Sequence, residues 1–509
     1  VNIRAILAPL QNPERRQQRD LLFIFALAFL FRVALLLLFP VPYGNDAAGR
    51  LYFRDTLWTW HWLPVTQALV YASFATTQSI GAVRLVFAAA TSLAAMAFTF
   101  YLQTFASRRA ALIGGVVFAT NSLLVFLSLM PYQEVVFLGL LFGSLAFFNR
   151  DADDSHHQKN FIAGAILYGL ACLTRYEAWF LLPALLFART RRALQTHDNA
   201  RGFLQETVKD IIALCWGPTL WLFINWHIWG NPAAFLFHRA DRAFYAWAPH
   251  GEIMRIINYL GLMLYWLACF GSPLALLALP GAWVVWKNRK KLVPVLWPSL
   301  LLLALELAFL IFVAGREFAT ANRFASVPVA ILLIFVALGA NALLENLEKS
   351  KRRWLQTLNQ PAFKMMAASF LILFLLSYGA MPVAQANKHP DFREPYEVAR
   401  FLAKNLAPNE RAVIVGESID GAVPMPYQRI FGQLAFDNAH LLCSALLDPR
   451  TVSDVEQFAR ERNLRYIAVF GKGWPRSGSD EIFLALIEDS NNKARGAFKN
   501  NAAVVYELE

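Results

Sequence analysis

The sequence predicts a polytopic α-helical membrane protein that closes with a small α/β domain. Three observations carry that prediction. Hydrophobic residues make up 57% of the 509-residue chain and charged residues only 16%, against about 25% charge in an ordinary soluble domain. Apolar runs close to the ~20 residues needed to cross a bilayer recur up to residue 383 with basic punctuation between them. From residue 384 onward the pattern changes to short amphipathic and alternating segments. The recurrence excludes a single soluble core.

The polar segment 1–20, with Arg4, Arg15, Arg16 and Arg19, reads as a cytoplasmic N-terminal segment. No small-residue cleavage site follows, so the apolar run at 21–39 is expected to be retained as the first span. Further runs lie at 81–104, 110–130, 133–148, 160–173, 176–188, 209–228, 257–285, 292–313, 324–344 and 364–383, about eleven transmembrane helices within a membrane domain of 21–383. The run 257–285 is interrupted by Gly271, Ser272 and Pro273, where a kink or tilt is expected. The runs 160–173 and 176–188 are short for a hydrocarbon slab at about 1.5 Å rise per residue. They are expected to tilt, or to meet at a polar cavity that keeps "TRYE" wet. One long helix through 160–188 would instead bury Arg175 and Glu177 at mid-bilayer.

The connections sort into two sets. "PERRQQR", "SRR", "NRDADDSHHQK", "RTRR", "KNRKK" and "EKSKRR" alternate with the others and are mostly basic, which assigns them to the cytoplasm by the positive-inside rule. The opposite face receives the loop 40–80, the turns at 131–132 and 174–175, the loop 229–256, "GREFATANR" at 315–323, and the domain 384–509. The formal charge of +12 follows from that bias and from anionic lipid, so nucleic acid is not an expected partner. Of the four cysteines, Cys172, Cys215 and Cys269 fall in apolar runs and Cys443 in the polar region, with no metal-binding or disulfide spacing.

The segment 384–509 reads as a soluble extracytoplasmic α/β domain. "DFREPYEVARFLAKNLAPNE" has helical apolar spacing with Pro395 near its start. "RAVIVGES", "LRYIAVFG" and "AAVVYELE" read as strands. "TVSDVEQFARERN" reads as a helix capped by Thr451 or Ser453, with Glu456 completing a capping box. "GESIDG" at 416–421 lacks phosphate-loop spacing and reads as a plain strand-to-helix turn.

Ionisable residues at a membrane boundary are expensive and call for a reason. Asp46 follows the first span, after Gly44 and Asn45. It suits either a helix cap for 47–58, a duty Asn45 could also take, or a chemical role. Arg50, Arg54, His61 and Gln67 then stand among aromatics, a pattern of helices lying in the interface. The arginines there would meet either lipid headgroups in general or one phosphate, whose oxygens their fork matches. Glu134 opens a span, where it would interact favourably with the helix amino end. Loop parity also puts Asp46 and Glu134 on one face with Arg175, Glu177, Asp241, Arg242, Arg316, Glu317 and Arg323, an acid/base and anion-binding constellation. For His61 and His238 a satisfied interfacial role is the simpler reading.

In order and spacing, these features resemble the GT-C superfamily of integral membrane glycosyltransferases, the group containing protein O-mannosyltransferases and aminoarabinose transferases. The features are Asp46 after the first span, "HWLP" at 61–64, Glu134 after "PYQ", "LTRYEAWFLLPALL" at 173–186 and "NRFASVPVA" at 322–330, and the likeness covers about 20–385. It departs from the family pattern in carrying "QE" at the second acidic position, Tyr176 where proline is frequent, and no "WWDYG"-type signature. The resemblance implies a polyprenyl-phosphate-linked sugar donor, with Asp46 nearest the reaction and a lipid, glycan or protein hydroxyl as acceptor. Asp46 would take the acceptor's proton in a single inverting displacement. Cations would stabilise the departing phosphate, with Arg50, Arg54, His61, Arg175, Arg242, Arg316 and Arg323 as candidate contacts and Glu177 and Asp241 beside them. No cofactor is required by this scheme. A divalent cation, Mg2+ or Mn2+, held by Asp46 and Glu134 is the one that the carboxylates would suit. The competing classes are a secondary transporter or flippase, for which the expected internal repeat is missing, and a non-catalytic membrane assembly protein.

Overall fold

The computed structural model describes residues 13–54, 56–58, 62–151, 157–196, 199–235, 273–312, 322–349, 360–407, 409–415, 441–443, 455–470, 487, 494–501 and 503–508. The helices are α1 (Pro13–Leu38), α2 (Asn45–Tyr52), α3 (Pro64–Thr77), α4 (Ile80–Gln103), α5 (Arg108–Thr120), α6 (Ser122–Phe126), α7 (Gln133–Asp151), α8 (His157–Cys172), α9 (Leu182–Thr196) and α10 (Ala200–Trp229). They continue with α11 (Ala278–Lys287), α12 (Arg289–Phe312), α13 (Ser326–Lys349), α14 (Pro361–Lys388), α15 (Pro390–Asn405) and α16 (Val455–Glu461). Short 3-10 segments, Tyr176–Leu181, Pro273–Leu277 and Asn322–Ala325, lead into α9, α11 and α13.

The protein is a multi-pass helical membrane protein, but the count of spans is corrected. Among the described residues, six helices are long and apolar enough to cross a membrane, those of α1, α4, α10, α12, α13 and α14, rather than about eleven. Polar residues end several helices before the apolar run ends. Within 110–130, α5 stops at Thr120, and the Asn121 side chain accepts from Leu124 N to start the five-residue α6. Between α8 and α9 the chain breaks at 173–175, so one long helix through 160–188 does not form. Residues 257–272 of the interrupted run lie outside the described residues.

The chain divides into two compact units. The first comprises Val1–Ala34, Trp58–Thr66 and Phe87–Pro382. Apolar surface gives helices no reason to associate in lipid, so close backbone approach and buried hydrogen bonds must hold them. Gly281 on α11 and Gly339 on α13 permit such an approach: a Cβ on either would overlap a carbonyl oxygen of the facing segment, that of Phe335 or Leu277. Arg32, buried within α1, donates to Thr91 Oγ1 at 3.2 Å on α4 and to the Ala119 carbonyl at 3.2 Å on α5. Arg108 Nε and Nη2 clasp Asp20 at 2.5 and 2.6 Å, joining α5 to α1.

The second unit comprises Leu35–Leu57, Gln67–Val86 and Val383–Glu509. Its sheet has the order β2-β1-β3-β5-β4, from β1 (Arg411–Val415), β2 (Leu441–Cys443), β3 (Leu464–Phe470), β4 (Ala494–Lys499) and β5 (Ala503–Leu508). β1 is parallel to β2 and β3, while β5 runs antiparallel to β3 and β4. The three expected strands form; β2 and β4 escaped the reading, β2 for its brevity and β4 because "ARGAFK" has no apolar alternation. Alternation along the strands sends Ala412 and Ile414 to a core with Val398 and Leu402 of α15, and Val413 and Val415 to the other face with Phe458 of α16. Pro390 is the first residue of α15, and Pro395 lies inside it. Residues 416–421, Thr451 and Ser453 lie outside the described residues.

The same unit holds α2. Tyr52 packs on the α15 face of the sheet core. Buried Gln67 donates through Nε2 to the carbonyls of Phe53 at 2.7 Å, Thr56 at 3.1 Å and Arg50 at 3.4 Å, tying off the end of α2. Arg84 Nη1 donates to the Pro40 carbonyl at 2.6 Å, and Val41 N donates to Asn387 Oδ1 at 3.1 Å. Gln67→Leu keeps the size of the side chain but removes the donor from these carbonyls. It is expected to lower stability by about 1–3 kcal/mol, read as a fall in the melting temperature of the detergent-solubilised protein.

Candidate active site

Helix α2 begins on Gly44, whose φ of 85° is left-handed backbone that glycine adopts without a Cβ clash. Asn45 and Asp46 therefore occupy the first turn of α2, and neither is the cap that the sequence suggested. Arg50 follows Asp46 by one turn on the same helix. Arg50 and Arg54 are buried, 2% and 1% exposed. Arg54 lies over the Phe74 ring, 4.4 Å from its centroid, a cation–π contact of the desolvated kind.

In the first unit, the break between α8 and α9 carries Arg175 in extended conformation (φ −146°, ψ 144°). Its guanidinium bridges two carboxylates. Nη1 donates to Glu134 Oε1 at 2.5 Å, and Nε donates to Glu177 Oε1 at 2.9 Å, with Nη2 on the same oxygen. Glu134 stands in the first turn of α7 and Glu177 in the first turn of the 3-10 segment. The side chains of Arg175 and Glu134 are 4% and 1% exposed. Burial by itself lowers the Arg175 pKa, but Glu177 and Glu134 more than reverse this and hold it above its ordinary value. The guanidinium is thus a permanent charge.

A third carboxylate, Glu306 of α12, is 1% exposed and close enough to interact electrostatically with Arg175 and Glu177. The sequence reading passed over it, although it is the sole ionisable residue in the stretch "LVPVLWPSLLLLALELAFLIF" and that isolation was the available signal. Three carboxyl groups thus lie near one guanidinium. Glu134 Oε2 and Glu306 Oε2 are both buried with no hydrogen-bond partner among the described residues. A buried acceptor in that state costs about 1–3 kcal/mol. Among the described residues, no group of three or more His, Cys, Asp or Glu could hold a metal ion.

Two quoted motifs meet here. Val65 N donates to the Leu173 carbonyl at 3.2 Å, and Leu63 of "HWLP" packs with Leu173, Trp221 and Phe235. Tyr176 stacks on Phe235 with ring centroids 4.9 Å apart, and its hydroxyl accepts from Trp221 Nε1 at 3.0 Å. Tyr176 thereby fills the position where proline is frequent with a specific aromatic contact. Arg323 leads into α13, its guanidinium 5.2 Å from the Phe324 ring centroid. His61, His238, Asp241, Arg242, Arg316 and Glu317 lie outside the described residues.

No protein-family model matches the chain. No curated protein matches it by sequence. Solved structures do. ArnT from Cupriavidus metallidurans bound to undecaprenyl phosphate is similar with a TM-score of 0.58 at 13% identity, over 96% of this chain and 97% of that one. The same protein in the apo state gives 0.55 at 14% identity, over 94% and 97%. The Archaeoglobus fulgidus oligosaccharyltransferase in complex with Zn and sulfate gives 0.51 at 15% identity, over 88% of this chain and 68% of that one. The likeness shows the fold, a GT-C-like membrane architecture.

Direct contact with Arg175 separates two conservative substitutions. Glu134→Gln removes a direct partner of the buried cation, and Arg175→Met leaves carboxylates buried without compensation. The latter is expected to cost about 3–5 kcal/mol. Glu306 makes no direct ion pair among the described residues, so Glu306→Gln, which keeps the size of the side chain, is expected to leave stability nearly unchanged. Melting temperatures of the three purified variants against the parent test this, and a Glu306→Gln variant as unstable as Arg175→Met would contradict it.

Proposed function

We propose that this protein is an inverting glycosyltransferase that takes a sugar from a polyprenyl-phosphate carrier at the extracytoplasmic membrane face. The observation that carries the proposal is the fold shared over 96% of the chain with an ArnT structure that holds undecaprenyl phosphate. The buried charge cluster supports it with carboxyl oxygens suited to the hydroxyls of a polyol. The acceptor is a hydroxyl of a lipid, a glycan or a protein.

In this scheme the acceptor oxygen attacks the anomeric carbon as the bond to the carrier phosphate breaks. Asp46 accepts the acceptor's proton, the general-base role. The carrier phosphate leaves as an anion and needs cations, not a proton. Arg50, one turn from Asp46 on α2, and Arg54 are the nearest candidates in the chain. Glu134, with Oε1 held by Arg175, has Oε2 left to accept a hydrogen bond from a sugar hydroxyl. No step is routed through a metal ion. The apolar tail of the carrier explains why the reaction belongs in a membrane.

A transporter or flippase is the second reading, favoured by Glu306 and Arg32 within apolar helices. Release of carrier phosphate separates the two. Purified protein mixed with labelled polyprenyl-phosphate sugars and a membrane extract as acceptor is expected to release it. Asp46→Asn is expected to retain fold and donor binding but lose about 10²–10⁴-fold in rate. Parent-like release by that variant would sink the assignment of Asp46, and donor binding without turnover by the parent would favour transport.

A further inference from the structure

The ends of α4, α11 and α13 and the starts of α5 and α12 enclose a cavity of about 530 Å3 within the first unit. These ends adjoin the basic connections "SRR", "KNRKK" and "EKSKRR". Lys287, Lys291, Ser107 and Asn288 line the cavity together with Pro280, Trp283, Leu292 and Leu343. Ser107 and Asn288, which precede the first residues of α5 and α12, line the same space. The first turn of α12 is "RKK", three cations where the helix itself carries partial positive charge. Arg108 pairs with Asp20, Arg109 with Glu348 at 3.0 Å, and Arg189 with Asp210 at 3.0 Å. Lys287 and Lys291 have no ion-pair partner among the described residues. The one carboxylate in the lining, Glu345, accepts from the Asn341 amide at 2.7 Å.

Two lysines without ion-pair partners among the described residues and several apolar side chains in one pocket define an amphipathic anion site. Trp283, 66% exposed one turn before Lys287, supplies the flat amphipathic ring common at headgroup depth. We propose that this cavity binds an anionic glycerophospholipid, its phosphate on Lys287 and Lys291 and an acyl chain along Trp283 and Leu343. Basic pockets between spanning helices recognise lipid headgroups in this way. The site is separate from the carboxylate–guanidinium cluster and does not rest on the glycosyltransferase reading.

The test uses the full chain, delipidated in a neutral detergent and titrated with phosphatidylglycerol, with phosphatidylcholine of the same chains, and with inorganic phosphate. Bound lipid is counted by native mass spectrometry, and melting temperature is followed in parallel. Phosphatidylglycerol is expected to bind and stabilise. Its affinity should fall about 5-fold for each lysine removed and about 25-fold in K287A/K291A, while Trp283→Ala weakens the lipid without creating a phosphate site. If K287A/K291A melts lower before lipid is added, K287Q/K291Q keeps the side-chain stems and carries the comparison. Equal binding of phosphatidylcholine, or undiminished binding of phosphatidylglycerol by the lysine variants, overturns the proposal. Saturation by inorganic phosphate alone, at the affinity of the lipid, overturns it as well.

Discussion

The buried guanidinium of Arg175 is the constraint around which the first unit is organised. A permanent charge this deeply withdrawn from water is tolerable only if carboxylates surround it. Glu134 at the start of α7 and Glu177 just past the chain break meet that demand directly. The break at 173–175 is what brings the cation to them, because an unbroken helix would carry Arg175 away in register with its neighbours. Short helices on either side follow from the same requirement. Helices shorter than the bilayer are acceptable where they line a polar interior rather than face lipid. Glu306 then brings a third carboxyl group close enough to interact with the guanidinium and with Glu177.

The second unit solves a different problem. An eight-residue helix such as α2 has too few hydrogen bonds to be stable alone. It gains support from Gln67, which receives no help from periodicity but closes three carbonyls, and from the sheet core through Tyr52. The C-terminal sheet is therefore part of the scaffold of the helix that carries Asp46. Arg84, reaching back to the carbonyls that follow α1, fixes where the chain turns toward α2.

Polar contacts also explain why apolar length overstated the number of spans. Hydropathy counts side chains, whereas a helix ends where its backbone groups find other partners. Asn121 ends one helix and starts the next because its side chain can replace a backbone acceptor. An apolar run containing such a residue stays buried without staying one helix.

The sequence by itself determined the membrane class, the alternation of basic connections, the interruption near "TRYE", and an α/β segment after residue 383. Each of these is encoded locally, in composition, period or charge spacing. Glu134, Arg175 and Glu177 were legible as costly charges at the edges of apolar runs. Only the tertiary structure decided that Arg175 pairs with Glu134, 41 residues away, that Leu63 of "HWLP" packs against Leu173 and Trp221, and that Glu306 joins the cluster from α12. It also decided that Gly44, and neither Asn45 nor Asp46, begins α2. The physical reason is that burial and helix period are properties of a short window, while the partner of a buried charge is chosen by packing between segments distant in the chain.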